Sequence, residues 1–95
     1  MIGKKVIVRG DRSGVFFGIL KEKNGREVKL TDCRRLWYWS GAASLSQLAV
    51  DGVAYPKDSK FTVRVPEIVI LDAIEIIPCE EKAINSIEGV REWKI

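Results

Sequence analysis

An α+β domain built on a small twisted, mainly antiparallel sheet with two short helices is predicted by three observations in this chain. Short β-branched runs recur between turn-forming clusters in the first forty residues, Asn24-Gly25 marks a hairpin, and two segments with helical spacing each follow a residue suited to start a helix. Ninety-five residues with 46% apolar content suffice for one modest core, so residues 1 to 95 are read as a single domain.

The elements follow in order. Lys5-Val6-Ile7-Val8-Arg9 has the composition of a strand, and Gly10-Asp11-Arg12-Ser13-Gly14 ends it with turn formers. Val15 to Lys23 and Arg26 to Leu30 flank Asn24-Gly25, whose residues tolerate the positive φ of a type I′ turn, so these strands pair antiparallel. Cys33 to Trp39 is expected as a further extended segment. Its period of two places Arg35, Trp37 and Trp39 on one face and Arg34, Leu36 and Tyr38 on the other.

Ser44-Leu45-Ser46-Gln47 fits a capping box, which predicts a helix of about two turns that stops at Asp51-Gly52. Tyr55 to Lys60 reads as a loop. Phe61 to Val65 alternates apolar and polar residues, Pro66 interrupts, and Glu67 to Ile77 is the most apolar stretch, expected as a buried strand with a break near Asp72 and Ala73. A second helix is expected after Pro78, with Glu80 and Glu81 in its first turn and Gly89 at its end. Trp93, in the tail, is placed either against the domain or against a second subunit.

Composition excludes several classes. No apolar run approaches the roughly 18 residues of a membrane span, and Val6-Ile7-Val8, ended by Arg9, is too short for a secretory signal core, so a cytoplasmic protein without membrane attachment is expected. Cys33 and Cys79 are too few and too far apart for a zinc framework or redox pair; two small buried or half-buried thiols are expected, with a disulfide as the minor alternative. The chain has no histidine, and its thirteen carboxylates form no phosphate-loop, nucleophile-elbow or metal-ligand pattern. A non-catalytic protein with neither metal nor cofactor is therefore expected.

The charge is uneven. Residues 1 to 48 carry ten Lys or Arg against four acids, whereas residues 49 to 95 carry six against nine. A basic half raises the local concentration of anions. Within it, Arg34 and Arg35 can grip a phosphate, Trp37 and Trp39 can stack on a base, and the amides of Gly41, Ala42, Ala43 and Ser44 at a helix start can complete an anion site. These eight residues are the candidate ligand site, and a small phosphate-bearing nucleotide is the expected partner. The competing expectation is a nucleic-acid or host-protein binding module that uses the basic strands.

The block Arg34-Arg35-Leu36-Trp37-Tyr38-Trp39-Ser40-Gly41-Ala42-Ala43-Ser44-Leu45-Ser46-Gln47-Leu48-Ala49, with Gly52, Pro56-Lys57, Ala73 to Pro78 and Trp93, resembles a family of short, uncharacterised proteins of tailed phages and prophages. The resemblance covers residues 14 to 95 and implies the cytoplasm of an infected bacterium. By analogy with phage sponges, it suggests capture of a nucleotide-type immune signal without cleavage. Enclosing a nucleotide is easier between subunits of so small a domain, so homo-oligomerisation is expected, through Ile68 to Ile77 or the Trp93 tail.

Overall fold

A computed structural model describes residues 1–95. Six strands form one antiparallel sheet: β1 (Lys5–Gly10), β2 (Val15–Asn24), β3 (Glu27–Tyr38), β4 (Lys60–Phe61), β5 (Val65–Ile70) and β6 (Ala73–Pro78). Helix α1 (Leu45–Asp51) lies between β3 and β4, and α2 (Glu81–Gly89) follows β6. The order is β4-β3-β2-β1-β6, with β5 paired to β3 beyond its β4 contact. The expected α+β architecture is present.

Asn24 and Gly25 join β2 to β3 as expected, with Gly25 at φ 63°. The expected pause after Leu30 is absent, because β3 runs unbroken from Glu27 to Tyr38. A bulge carries it through: β3 advances from Thr31 to Arg34 while β2 advances only from Ile19 to Phe17, and Asp32 takes φ 45°. Gly18 opposes the bulge, and a Cβ there would lie 2.5 Å from that of Cys33, so only glycine lets the strands close.

The bend lets the sheet bury residues on both faces. One face curls around Val6, Val8, Phe16, Leu20, Val28, Leu30, Cys33 and Ile70. The other face, bearing Ile7, Phe17, Leu36 and Phe61, is covered by Leu48 and Ala49 of α1 and Ile87 of α2. This explains why β1 reads as a continuous apolar run rather than an alternating one.

The break expected near Asp72 and Ala73 falls at Leu71-Asp72, but the strands on either side of it, expected as buried, are edge strands. β5 pairs only with β3 and β6 only with β1, and Val69 and Ile74 are exposed. Pro66 sits inside β5 without penalty to a second ladder, since no strand lies on its far side. Within the alternating stretch Phe61 to Val65, β4 ends at Phe61 and β5 starts at Val65.

Both cysteines are free thiols in different cores, Cys33 inside the curled face and Cys79 against the helix-covered one. Burial pushes Cys33 up to about 11 and Cys79 up to about 12, so both are protonated at neutral pH.

Candidate functional site

The period-two division of β3 holds, but its two arginines have different fates. Arg34 shares the helix-covered face with Leu36 and is 1% exposed. Its Nε donates to Thr62 O (3.1 Å), Nη1 to Ile87 O (3.1 Å) and Val90 O (2.9 Å), and Nη2 to Phe61 O (3.0 Å). Four of the five guanidinium N–H groups are thus committed to backbone carbonyls. Two of those carbonyls terminate α2, where a cation is favoured by the helix dipole. Burial lowers the Arg34 pKa to about 10, with Arg64 pushing the same way and Glu92 opposing, and the group stays charged at neutral pH. Arg34 therefore joins β4, the tail and α2, and is removed from the set of residues that could meet a phosphate.

Arg35 points the other way and is exposed. Its guanidinium lies over the ring of Phe16, 4.8 Å from the centroid, because Phe16 and Arg35 are register partners across β2 and β3. Its backbone is held by Thr62, whose Oγ1 accepts from Arg35 N (3.0 Å). Two residues on, Trp37 is 63% exposed. Trp39 lies beyond the strand end, half-buried against the helix-side core, so only part of its ring faces outward.

Arg35, Trp37 and Trp39 nevertheless border one open cleft of about 470 Å³, and its opposite wall is the β1–β2 loop with Arg12, Ser13 and Gly14. Gly14 supplies the φ of 112° that this loop adopts, a conformation L side chains rarely take; a Cβ there would make only ordinary contact, 3.8 Å from Arg35 Nε. Asp72 fixes the loop from the β5–β6 turn. It accepts from Arg12 N (2.8 Å), Ser13 N (3.1 Å) and Ser13 Oγ (2.5 Å).

The Ser13 hydroxyl, followed by the Arg12 amide, holds the Asp72 carboxyl below the usual carboxylate range. A depressed acid contributes stability above its unfolded pKa of about 3.9 and loses that contribution as pH falls through its folded value. Acidification below about pH 4 is therefore expected to release the loop. The check is amide hydrogen exchange at Arg12 and Ser13, whose protection relative to the intrinsic rate at each pH is expected to fall by more than that of Val6 to Val8 in the core. Equal changes in both segments would contradict this anchoring role.

Trp93 completes the aromatic surface. The tail pairs with β4 through Trp93 N to Phe61 O (2.8 Å), which stacks Trp93 against Trp37 with centroids 6.2 Å apart and planes at 19°. Lys60 Nζ lies 5.5 Å from the Trp93 ring centroid. Trp93 thus packs against its own domain while 45% of its surface stays exposed.

The segment from Gly41 to Ser44 is used by the fold. Gly41 O accepts from Ala54 N (3.2 Å), and a Cβ on Gly41 would lie 2.6 Å from that nitrogen, so its smallness serves the packing of two chain segments. Ala42 packs on the helix-side core. Ala43 N donates to Gln47 Oε1 (2.7 Å), and Ser44 Oγ accepts from Gln47 N (3.1 Å), a capping arrangement close to the expected box. The donors expected to bind an anion at this helix start are thus partly spent on the helix itself.

Sequence reasoning did not place Arg12 and Lys60 beside the aromatic block. Arg12 is brought there by the β1–β2 register and Asp72, and Lys60 by the pairing of β4 with the end of β3. Only the basic character of the first half signalled Arg12.

This bent six-stranded sheet with two helices is an Sm-like fold. It is similar to a heptameric archaeal Sm protein, whose structure carries implications for the eukaryotic snRNP core, with a TM-score of 0.52, 20% sequence identity and coverage of 83% of this chain and 90% of that one. The chain belongs to the family described as Domain of unknown function (DUF6948), whose model matches residues 3–87. No curated protein matches it in sequence. No helix is long and apolar enough to cross a membrane.

Proposed function

We propose that this chain is a non-catalytic binding protein for a nucleotide-type ligand, a flat base bearing phosphate, with Trp37 as the stacking platform and Arg35 and Arg12 as the phosphate contacts. The observation that carries the reading is the exposure of Trp37 beside Arg35, whose guanidinium makes no ion pair within the chain. An exposed indole offers ring surface on which a base can stack, and a charge held over Phe16 is already oriented.

The resemblance to tailed-phage proteins gives this binding a context, the sequestration of a nucleotide-type immune signal in the host cytoplasm. The cleft at Trp37 is open, so enclosure of a free nucleotide calls for a second subunit. The two unpaired sheet edges, β5 and β6, offer the contact, and an archaeal protein of this fold is heptameric. Sedimentation of the parent is expected to show an oligomer that Val69→Lys with Ile74→Lys converts to a monomer of unchanged circular dichroism. A parent that already sediments as a monomer would remove this assembly from the account.

The binding itself is tested by titrating tryptophan fluorescence with cyclic and linear nucleotides and with short single strands. Quenching that saturates and is weakened by Trp37→Ala and Arg35→Ala supports the reading. Folded variants that bind every ligand as the parent does would overturn it.

A further inference from the structure

The Trp37–Trp93 pair separates two clefts. On the Trp37 side lies the cleft of Arg12 and Arg35; on the Trp93 side lies a second, of about 570 Å³, lined by Lys57, Ser59, Arg91 and Glu92. Lys60 stands over the Trp93 ring. Five cations therefore lie around two near-parallel indoles: Arg12 and Arg35 in one cleft, Lys57 and Arg91 in the other, and Lys60 over the Trp93 ring.

Two acids along this path are committed elsewhere. Asp72 is bound to the amides and hydroxyl of the β1–β2 loop. Glu92 accepts from Arg64 N (2.9 Å) and pairs with Arg64 and Lys94; the Arg64 amide above all holds its carboxyl below the usual range. Three exposed carboxylates remain nearby: Asp58, between Lys57 and Lys60 in sequence, Asp11, next to Arg12, and Glu67, which borders the same surface hollow as Arg35. Arg91, Lys57 and Lys60 make no ion pair with Asp58.

A free mononucleotide has one base and one phosphate group, and it could engage only one side of such a ridge. A single strand alternates bases and phosphates, which matches an aromatic ridge with cations on both flanks. Resting on the proposed function above, we infer that the ligand is a single-stranded nucleic acid that crosses the ridge, with successive bases on Trp37 and Trp93 and its backbone running from Arg12 and Arg35 to Lys57 and Arg91.

The experiment compares uridine monophosphate with oligouridylates of two, four and eight nucleotides on the full chain, by fluorescence quenching at several salt concentrations. Affinity is expected to rise at least about tenfold between two and eight nucleotides, with a steeper salt dependence for the longer strand, since each neutralised phosphate adds about −0.7 to the logarithmic slope. Lys57→Glu with Arg91→Glu, both at exposed positions, lowers octamer affinity at least about tenfold and leaves uridine monophosphate unchanged. An octamer that binds no more tightly than the monophosphate, or that ignores the double variant, overturns the single-strand path while leaving the Trp37 site standing. Binding of every length that is unaffected by Trp37→Ala overturns both.

Discussion

Replacing the buried Arg34 with alanine is expected to destabilise the protein by about 3–5 kcal/mol. The substitution orphans the carbonyls of Thr62 and Val90, takes one of two donors from Phe61 O, which keeps Trp93 N, and from Ile87 O, which keeps Val90 N, and opens a cavity beside Phe61, whose ring lies 5.5 Å from the guanidinium carbon. Each orphaned carbonyl costs about 1–3 kcal/mol if it stays dry, and water entering the cavity recovers part of the sum. For a domain of this size such a loss lowers the melting temperature by about 12 °C or more. Arg34→Lys keeps the charge but cannot span four acceptors with one ammonium, so an intermediate stability is expected. Urea unfolding of the two variants checks this. A loss below about 1 kcal/mol for Arg34→Ala would mean the four bonds do not hold α2 and the tail to β3.

Trp37→Ala is expected to weaken nucleotide-type binding by about 5- to 150-fold, the equivalent of one lost stacking platform at about 1–3 kcal/mol. The fold should be unaffected, because Trp37 is exposed and its main partner is the equally peripheral Trp93. Arg35→Ala acts differently. It removes a charge-assisted contact of about 1.5–3 kcal/mol and lowers the salt slope by about 1, whereas the loss of Trp37 leaves that slope nearly unchanged. Fluorescence titration of both variants across salt separates the two contributions. Identical salt slopes for parent and Arg35→Ala would take Arg35 out of the phosphate contacts.

The contrast between Arg34 and Arg35 shows what the sequence could reveal. Alternation along β3 separated the two arginines by face, since that pattern depends only on the strand itself. Which face would be buried depended on α1, α2 and β4 closing over Leu36, and those are contacts from distant parts of the chain. The Asn24-Gly25 hairpin and the Ser44 cap were legible for the same local reason. The apolar stretch Glu67 to Ile77 misled because β-branched content marks a strand without saying whether neighbours lie on both sides.

The site was legible in half. Its aromatic and cationic chemistry is written contiguously from Arg35 to Trp39, although Trp39 turns partly into the core when the strand ends at Tyr38. Gly41 to Ser44 suggested an anion cradle because small residues before a helix serve ligands and tight packing equally well, and the contact with Ala54 decides for packing. Arg12, Lys60 and the stacking of Trp93 on Trp37 arise from register and from the tail's return to β4, which no local pattern encodes.

The chain has three tryptophans, so the indole N–H region of a ¹⁵N–¹H spectrum carries one signal for each of Trp37, Trp39 and Trp93. Addition of a short oligouridylate is the most direct measurement of whether this aromatic face binds nucleotides. The signals of Trp37 and Trp93 are expected to shift together and saturate, with a smaller change at the half-buried Trp39. Three unmoved indoles while the oligonucleotide binds elsewhere, or at saturating oligonucleotide without binding, would contradict the assignment of this face as the ligand site.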